Sequence, residues 1–137
     1  MLLRLLRAAL REFRRPRLWL GIWYAGLLLC IALSLVHPPK FSVDVPDGDK
    51  IGHFLAYLTL SVWSVFLFAK PRSRLFAALA LVGLGVGMEV AQGLLTSDRM
   101  MDARDAVANA AGVVVGQLLA LSRAQTFLQR WDLRWFG

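Results

Sequence analysis

The sequence is short of charge, of acid in particular, and of cysteine. Only 18% of its 137 residues are Asp, Glu, Lys or Arg, against about 25% in an ordinary soluble domain, and 58% are hydrophobic. A water-soluble globular fold is therefore not expected, and the same apolar excess excludes intrinsic disorder. Nine acids face sixteen Lys and Arg, for a formal net charge of +7 and a pI near 10.8. Such a balance can mark a nucleic-acid binder. Here no docking motif accompanies it and the basic residues flank long apolar runs, so no nucleic-acid partner is expected. Basic flanks orient a chain against lipid instead. The one cysteine, Cys30, lies inside an apolar run and cannot form an intrachain disulfide, so it gives no reading of redox compartment.

What is abundant is uninterrupted apolar sequence. Residues 18–36 and 51–69 are runs of 19, and residues 75–95 a run of 21. A fourth run, residues 106–121, reaches spanning length only if its helix starts near Asp102. At 1.5 Å per residue, 19 helical residues extend roughly 28 Å, close to the thickness of a bilayer's hydrocarbon. The expectation is an all-α, four-helix transmembrane bundle. The first run exceeds the length of a signal-peptide core, and residues 34–38 make a poor cleavage site, so it is read as a membrane anchor. Twelve Lys and Arg fall in the two tails and the loop between the second and third runs, and four fall in the other two loops. By the positive-inside bias both termini are cytoplasmic.

Three regions follow: a basic amphipathic segment over residues 1–17, a four-span domain over 18–121, and an amphipathic cytoplasmic tail over 122–137. In the first, Arg4, Arg7, Arg11 and Arg14 recur at helical spacing opposite Leu2, Leu6, Leu10 and Phe13, until Pro16 ends the helix. In the last, Ala124, Phe127, Leu128, Trp131 and Trp135 share a face. Both segments are expected either to lie on the inner leaflet or simply to set topology by charge.

Polar residues within apolar spans are costly, about 2.5–3.5 kcal/mol each for an ionisable group at the bilayer centre, so each needs a reason. Glu89 stands six residues inside the end of the third run, and Gln92 and Thr96 continue its face. The second run opens with Asp49, Lys50 and His53, and Tyr57 follows one turn on. Asp49 can equally be a helix N-cap. His53 can shuttle protons, hydrogen-bond or ligate. Before the fourth run stand Arg99 and Asp102, then Asp105 and Asn109 on one face, with Gly112 and Gly116 below them. Ala108, Gly112, Gly116 and Ala120 form a small-residue stripe for close helix packing, and Gly83 and Gly87 offer a similar notch on the third helix. In an up-and-down bundle with both termini inside, these polar sets meet at the outer end, in one outward-facing depression.

The order E-x-x-Q, then R-x-x-D-x-x-D-x-x-x-N-x-x-G, preceded by Asp49-Lys50-Ile51-Gly52-His53-Phe54 and Tyr57, resembles the VanZ-like family of small membrane proteins, named after a teicoplanin-resistance protein. The resemblance covers residues 18–121. It departs at Ala103 and Arg104, where relatives often carry an aromatic or aliphatic residue before the fourth-helix acid. It implies a multi-pass protein of the bacterial cytoplasmic membrane, an envelope role and tolerance of glycopeptide antibiotics. It implies no reaction.

The leading functional reading is a pocket for an anionic lipid-linked or cell-envelope headgroup, such as a cell-wall precursor, with or without chemistry. Lys50 and Arg99 would hold the anion, and Asp102 and Asp105 would orient Arg99 or a cation. Gln92, Asp49, Asn109 and Tyr57 would line the pocket, and Glu89 and His53 would be the acid/base pair if a reaction occurs. A metal-assisted hydrolase or transferase would instead use His53, Glu89, Asp102 and Asp105 as ligands. Neither H-E-x-x-H nor a cysteine pair is present, so no cofactor and no metal are expected. A proton-coupled exporter would be built on Glu89, and a ligand-free scaffold would use the same polar residues as an internal salt-bridge network.

Overall fold

The computed structural model describes residues 8–36, 48–97 and 101–137. Among them the secondary structure is helical apart from one isolated antiparallel bridge, Leu10 to Phe68. The long helices are α1 (Pro16–Leu35), α2 (Gly48–Leu67), α3 (Pro71–Leu95) and α4 (Ala103–Gln117). Two 3₁₀ turns, Leu118–Leu121 and Arg123–Thr126, lead into α5 (Phe127–Phe136). Proline opens both α1 and α3, where its missing N–H is one that the first helical turn leaves unpaired anyway. Asp102 caps α4, accepting the Arg104 N–H at 2.8 Å, and so starts the fourth helix at the position expected of it.

Helices α1, α2 and α3 are each long and apolar enough to cross a membrane. The stretch Ala103–Leu121 joins them only when taken with Arg123–Phe136, from which it is bent by 87°. Large apolar side chains stand exposed along α1 (Leu28, Leu29, Leu33), α3 (Leu75, Phe76, Leu79) and α4 (Val107, Val114, Val115). Such a broad apolar surface suits hydrocarbon far better than water.

Helix α2 is central and packs most extensively on α4. The small-residue stripe explains how. A Cβ at Gly112 would overlap the Phe54 carbonyl oxygen, and one at Gly116 would come within 2.6 Å of the Ser61 Cβ. Only glycine lets the two backbones approach this closely. Below the contact, Ser61 donates to the Val113 carbonyl at 2.7 Å, and Gln117 Nε2 donates to the hydroxyls of Ser61 (3.0 Å) and Ser64 (3.1 Å). The notch expected at Gly83 and Gly87 is not used, since nothing lies within 4 Å of a Cβ at either. Gly85, between them on the opposite face, takes that part against Asn109 and Tyr57.

At the other end, Trp19, Trp23, Leu67, Phe68 and Leu128 share an aromatic core. The basic helix expected over residues 1–17 does not continue past Ala9. Residues 1–7, and with them Leu2, Arg4, Leu6 and Arg7, lie outside the described residues. From Leu10 the chain is non-helical: Arg11 N–H donates to the Leu67 carbonyl (2.8 Å), and Ala69 N–H donates to the Ala9 carbonyl (3.0 Å). The carbonyls ending α2 have no partner within the helix, and the incoming segment supplies one. The Arg11 and Arg74 guanidiniums both donate to Gln125 Oε1 at 2.9 Å, and burial together with Arg74 pulls the Arg11 pKa below its ordinary value. The C-terminal tail folds back rather than lying free. Leu128 and Asp132 are buried, while Phe127, Trp131 and Trp135 remain exposed on one face.

Candidate functional site

The N-termini of α2 and α4 and the C-terminus of α3 lie at the same end of the molecule, and the polar residues of all three meet there. On α2, the four-residue spacing stacks Asp49, His53 and Tyr57 on one face, and Lys50 stands beside them. On α4, Asp105 and Asn109 are likewise one turn apart. The glycine contact holds α4 so close that the His53 ring is engaged by both. Its Nδ1 lies 3.0 Å from Asn109 Oδ1, and its Nε2 lies 3.7 Å from Asp105 Oδ2 and 3.9 Å from Asp49 Oδ1. The ring is thus held between Asn109 on its Nδ1 side and the two carboxylates on its Nε2 side. Lys50 Nζ bridges Asp102 Oδ2 (3.7 Å) and Asp105 Oδ1 (3.8 Å).

Helix α3 contributes Glu89, 2% exposed. Its Oε2 accepts the backbone N–H of Asp102 at 3.3 Å, so the carboxylate sits at the N-terminus of α4, where unpaired N–H groups and the helix dipole favour a negative charge. It lies within electrostatic range of Asp105, His53 and Asp102. Three helices thus deliver ionisable side chains to one cluster, as the spacing in the sequence requires.

The cluster is incompletely satisfied. Among the described residues, Glu89 Oε1, Asp105 Oδ1, Asn109 Nδ2 and the Tyr57 hydroxyl are buried without a hydrogen-bond partner, Asp105 Oδ1 having only the Lys50 ion pair and Tyr57 the Cys30 thiol beside it. Leaving such a group unpaired costs roughly 1–3 kcal/mol, so four together on facing helices mark a place built to receive something. A hollow of ≈ 250 Å³ lies between α1 and α2, lined by Cys30, Ser34, Asp49, His53 and Tyr57 among others, so that Tyr57 alone of the four residues with unpaired atoms borders it. Among the described residues of the cluster, the carboxylates of Asp49, Asp102, Asp105 and Glu89 outnumber the ammonium of Lys50.

Two expectations change. Gln92 is buried on the Glu89 face but turns away from His53, donating to the Ser34 carbonyl of α1 at 2.7 Å. One turn of helix carries its side chain past the α4 terminus and toward α1, so it ties α1 to α3. Thr96 follows it as the C-cap, its hydroxyl on the Gln92 carbonyl. Asp49 lies within the first turn of α2 and faces His53. Arg99, assigned to the anion, lies outside the described residues.

The α1 side of the hollow carries no signal in the sequence, because Cys30 and Ser34 look like ordinary members of an apolar run. Asp132 was also missed; it is fully buried and accepts the Trp19 indole N–H at 2.7 Å and the Arg14 backbone N–H. The available signal was a lone acid four residues beyond Leu128, on the apolar side of the tail.

No protein-family model matches the chain, and neither a curated protein nor a solved structure is significantly similar to it. The site stands on its own geometry.

Proposed function

We propose that the chain is a four-span bundle in a bacterial cytoplasmic membrane, VanZ-like, with both termini inside, whose polar cluster opens outward and binds the headgroup of a lipid-linked envelope component. The observation that carries this reading is the set of buried polar atoms from α2, α3 and α4 that find no hydrogen-bond partner among the described residues, with Tyr57 and His53 continuing the cluster into the hollow between α1 and α2. Two carboxylate oxygens, an amide N–H and a phenol suit a hydroxyl-rich headgroup, since carboxylates accept from hydroxyls and the amide donates. The acidic surplus among the described residues keeps a phosphate out of the centre of the cluster, so the anion rests at the rim on Lys50. If the bound molecule reacts, His53 and Glu89 are the acid/base pair, His53 held in one orientation by Asn109. An envelope role and glycopeptide tolerance follow from the family resemblance.

The test is native mass spectrometry of protein released from bacterial membranes in mild detergent. Wild type is expected to retain a polyprenyl-linked or glycosylated phospholipid, and Glu89→Gln and Lys50→Ala are expected to lose it while keeping the wild-type circular dichroism spectrum. Equal lipid retention in all three proteins would remove the pocket from the function.

A further inference from the structure

The same cluster carries a second feature. We infer that Asp49, His53 and Asp105 form a binding site for a divalent transition-metal ion. Each offers one ligand atom, and the three atoms lie within 4.8 Å of one another. This set differs from the one suggested by sequence. Glu89 and Asp102 are committed to the start of α4, the first to the Asp102 N–H and the second to the Arg104 N–H.

Four observations carry the inference. First, the spacings from His53 Nε2 to the two carboxylates, 3.7 and 3.9 Å, are too long for hydrogen bonds. They are near the ligand-to-ligand spacing of roughly 3.4 Å that tetrahedral bonds of about 2.1 Å would give. Second, Asn109 holds Nδ1 at 3.0 Å, and a hydrogen bond on the other ring nitrogen is the usual device that presents an imidazole lone pair to a metal. Third, Asp105 is 6% exposed, yet among the described residues its Oδ1 has no hydrogen bond and meets Lys50 at 3.8 Å, while its Oδ2 is turned to His53. Fourth, Glu89 Oε1, buried and unpartnered on the facing helix, adds negative potential to the same spot.

One imidazole with two carboxylates neutralises a dication. A nitrogen ligand disfavours Mg²⁺ and Ca²⁺, and the absence of thiolate from the set disfavours softer ions, which leaves the first-row divalent ions, of which Zn²⁺ and Mn²⁺ serve as probes. The ion can reach the site from solvent, because the Asp49 side chain is 63% exposed. Three protein ligands leave a coordination position for water or for an oxygen of a bound molecule, and the hollow lined by Asp49 and His53 adjoins it.

The inference does not rest on the headgroup reading, and its test reads metal alone. Protein purified in detergent, stripped with chelator and desalted, is titrated with Zn²⁺ and with Mn²⁺. Metal content is measured by plasma mass spectrometry, and the His53 ring by ¹⁵N NMR. About one ion per chain at micromolar metal, with the Nε2 resonance shifting and Nδ1 staying protonated, is the expected result. His53→Ala and Asp105→Asn are expected to weaken binding by at least about tenfold. Asp49→Asn, at an exposed position that cannot unfold the protein, is expected to weaken it in the same direction. Binding that needs millimolar metal, that is as tight in the three variants as in wild type, or that leaves Nε2 unmoved would overturn the site and show His53 as an ion-pair partner of Asp49 and Asp105. Because lipid retention is read separately, either result leaves the headgroup proposal to its own test.

Discussion

The residues whose placement matters most are those that solvent would otherwise claim. His53, Glu89 and Asp105 were legible from sequence because an ionisable group within an apolar run has few places to go except toward another. What the sequence could not show was which atoms would pair, since that depends on rotamers and on how closely α4 approaches α2. Gln92 illustrates the gap: its face was right and its partner, the Ser34 carbonyl, was not foreseen. Asp132 was illegible for the opposite reason, because an acid in a polar tail raises no question until it is found fully buried against Trp19 and Arg14. Replacing it has a defined cost. Asp132→Ala leaves the buried Trp19 indole N–H and the part-buried Arg14 N–H unpaired and is expected to destabilise the protein by about 1–3 kcal/mol, while Asp132→Asn, which keeps one acceptor, loses less. Thermal unfolding in detergent, followed by tryptophan fluorescence, measures both.

Among elements, the α2–α4 contact controls the site. The glycine stripe on α4 could be read from its four-residue repeat, and the structure uses it. The apparent notch on α3 could not be judged the same way, because two glycines a turn apart look alike whether they face a helix or lipid. Gly83 and Gly87 have open space beside them, and Gly85 has Asn109 and Tyr57. The contrast is testable. Gly112→Ala must push α4 from the Phe54 carbonyl and is expected to cost about 1–3 kcal/mol and to lengthen the His53–Asn109 contact. Gly83→Ala and Gly87→Ala are expected to be neutral or stabilising by up to about 1 kcal/mol, since alanine is the better helix former. A Gly112→Ala protein as stable as Gly83→Ala would mean that α4 does not pack as described.

For the molecule as a whole, hydropathy gave the long helices directly, whereas both tails resisted sequence reading. Arginines at helical spacing suggested a helix across residues 1–17, but hydrogen bonds to the end of α2 decide the backbone from Leu10 onward. Helical periodicity reports which residues could share a face and says nothing of a neighbour that offers better partners. Charge bias sets the proposed orientation, which labelling in intact cells measures. In a Cys30→Ala background, Gly48→Cys is expected to react with a membrane-impermeant maleimide and Arg123→Cys only after lysis; the reverse pattern would turn the pocket toward the cytoplasm.

The central claim, that separate helices place their polar groups in one shared site, is tested most directly by solid-state NMR of the protein in liposomes. Magnetisation transfer between the His53 ring and the Asn109 and Asp105 side chains is expected, with the strongest contact from Nδ1 to Asn109, as its 3.0 Å approach to the amide oxygen requires. Transfer from His53 only to residues of its own helix would contradict it.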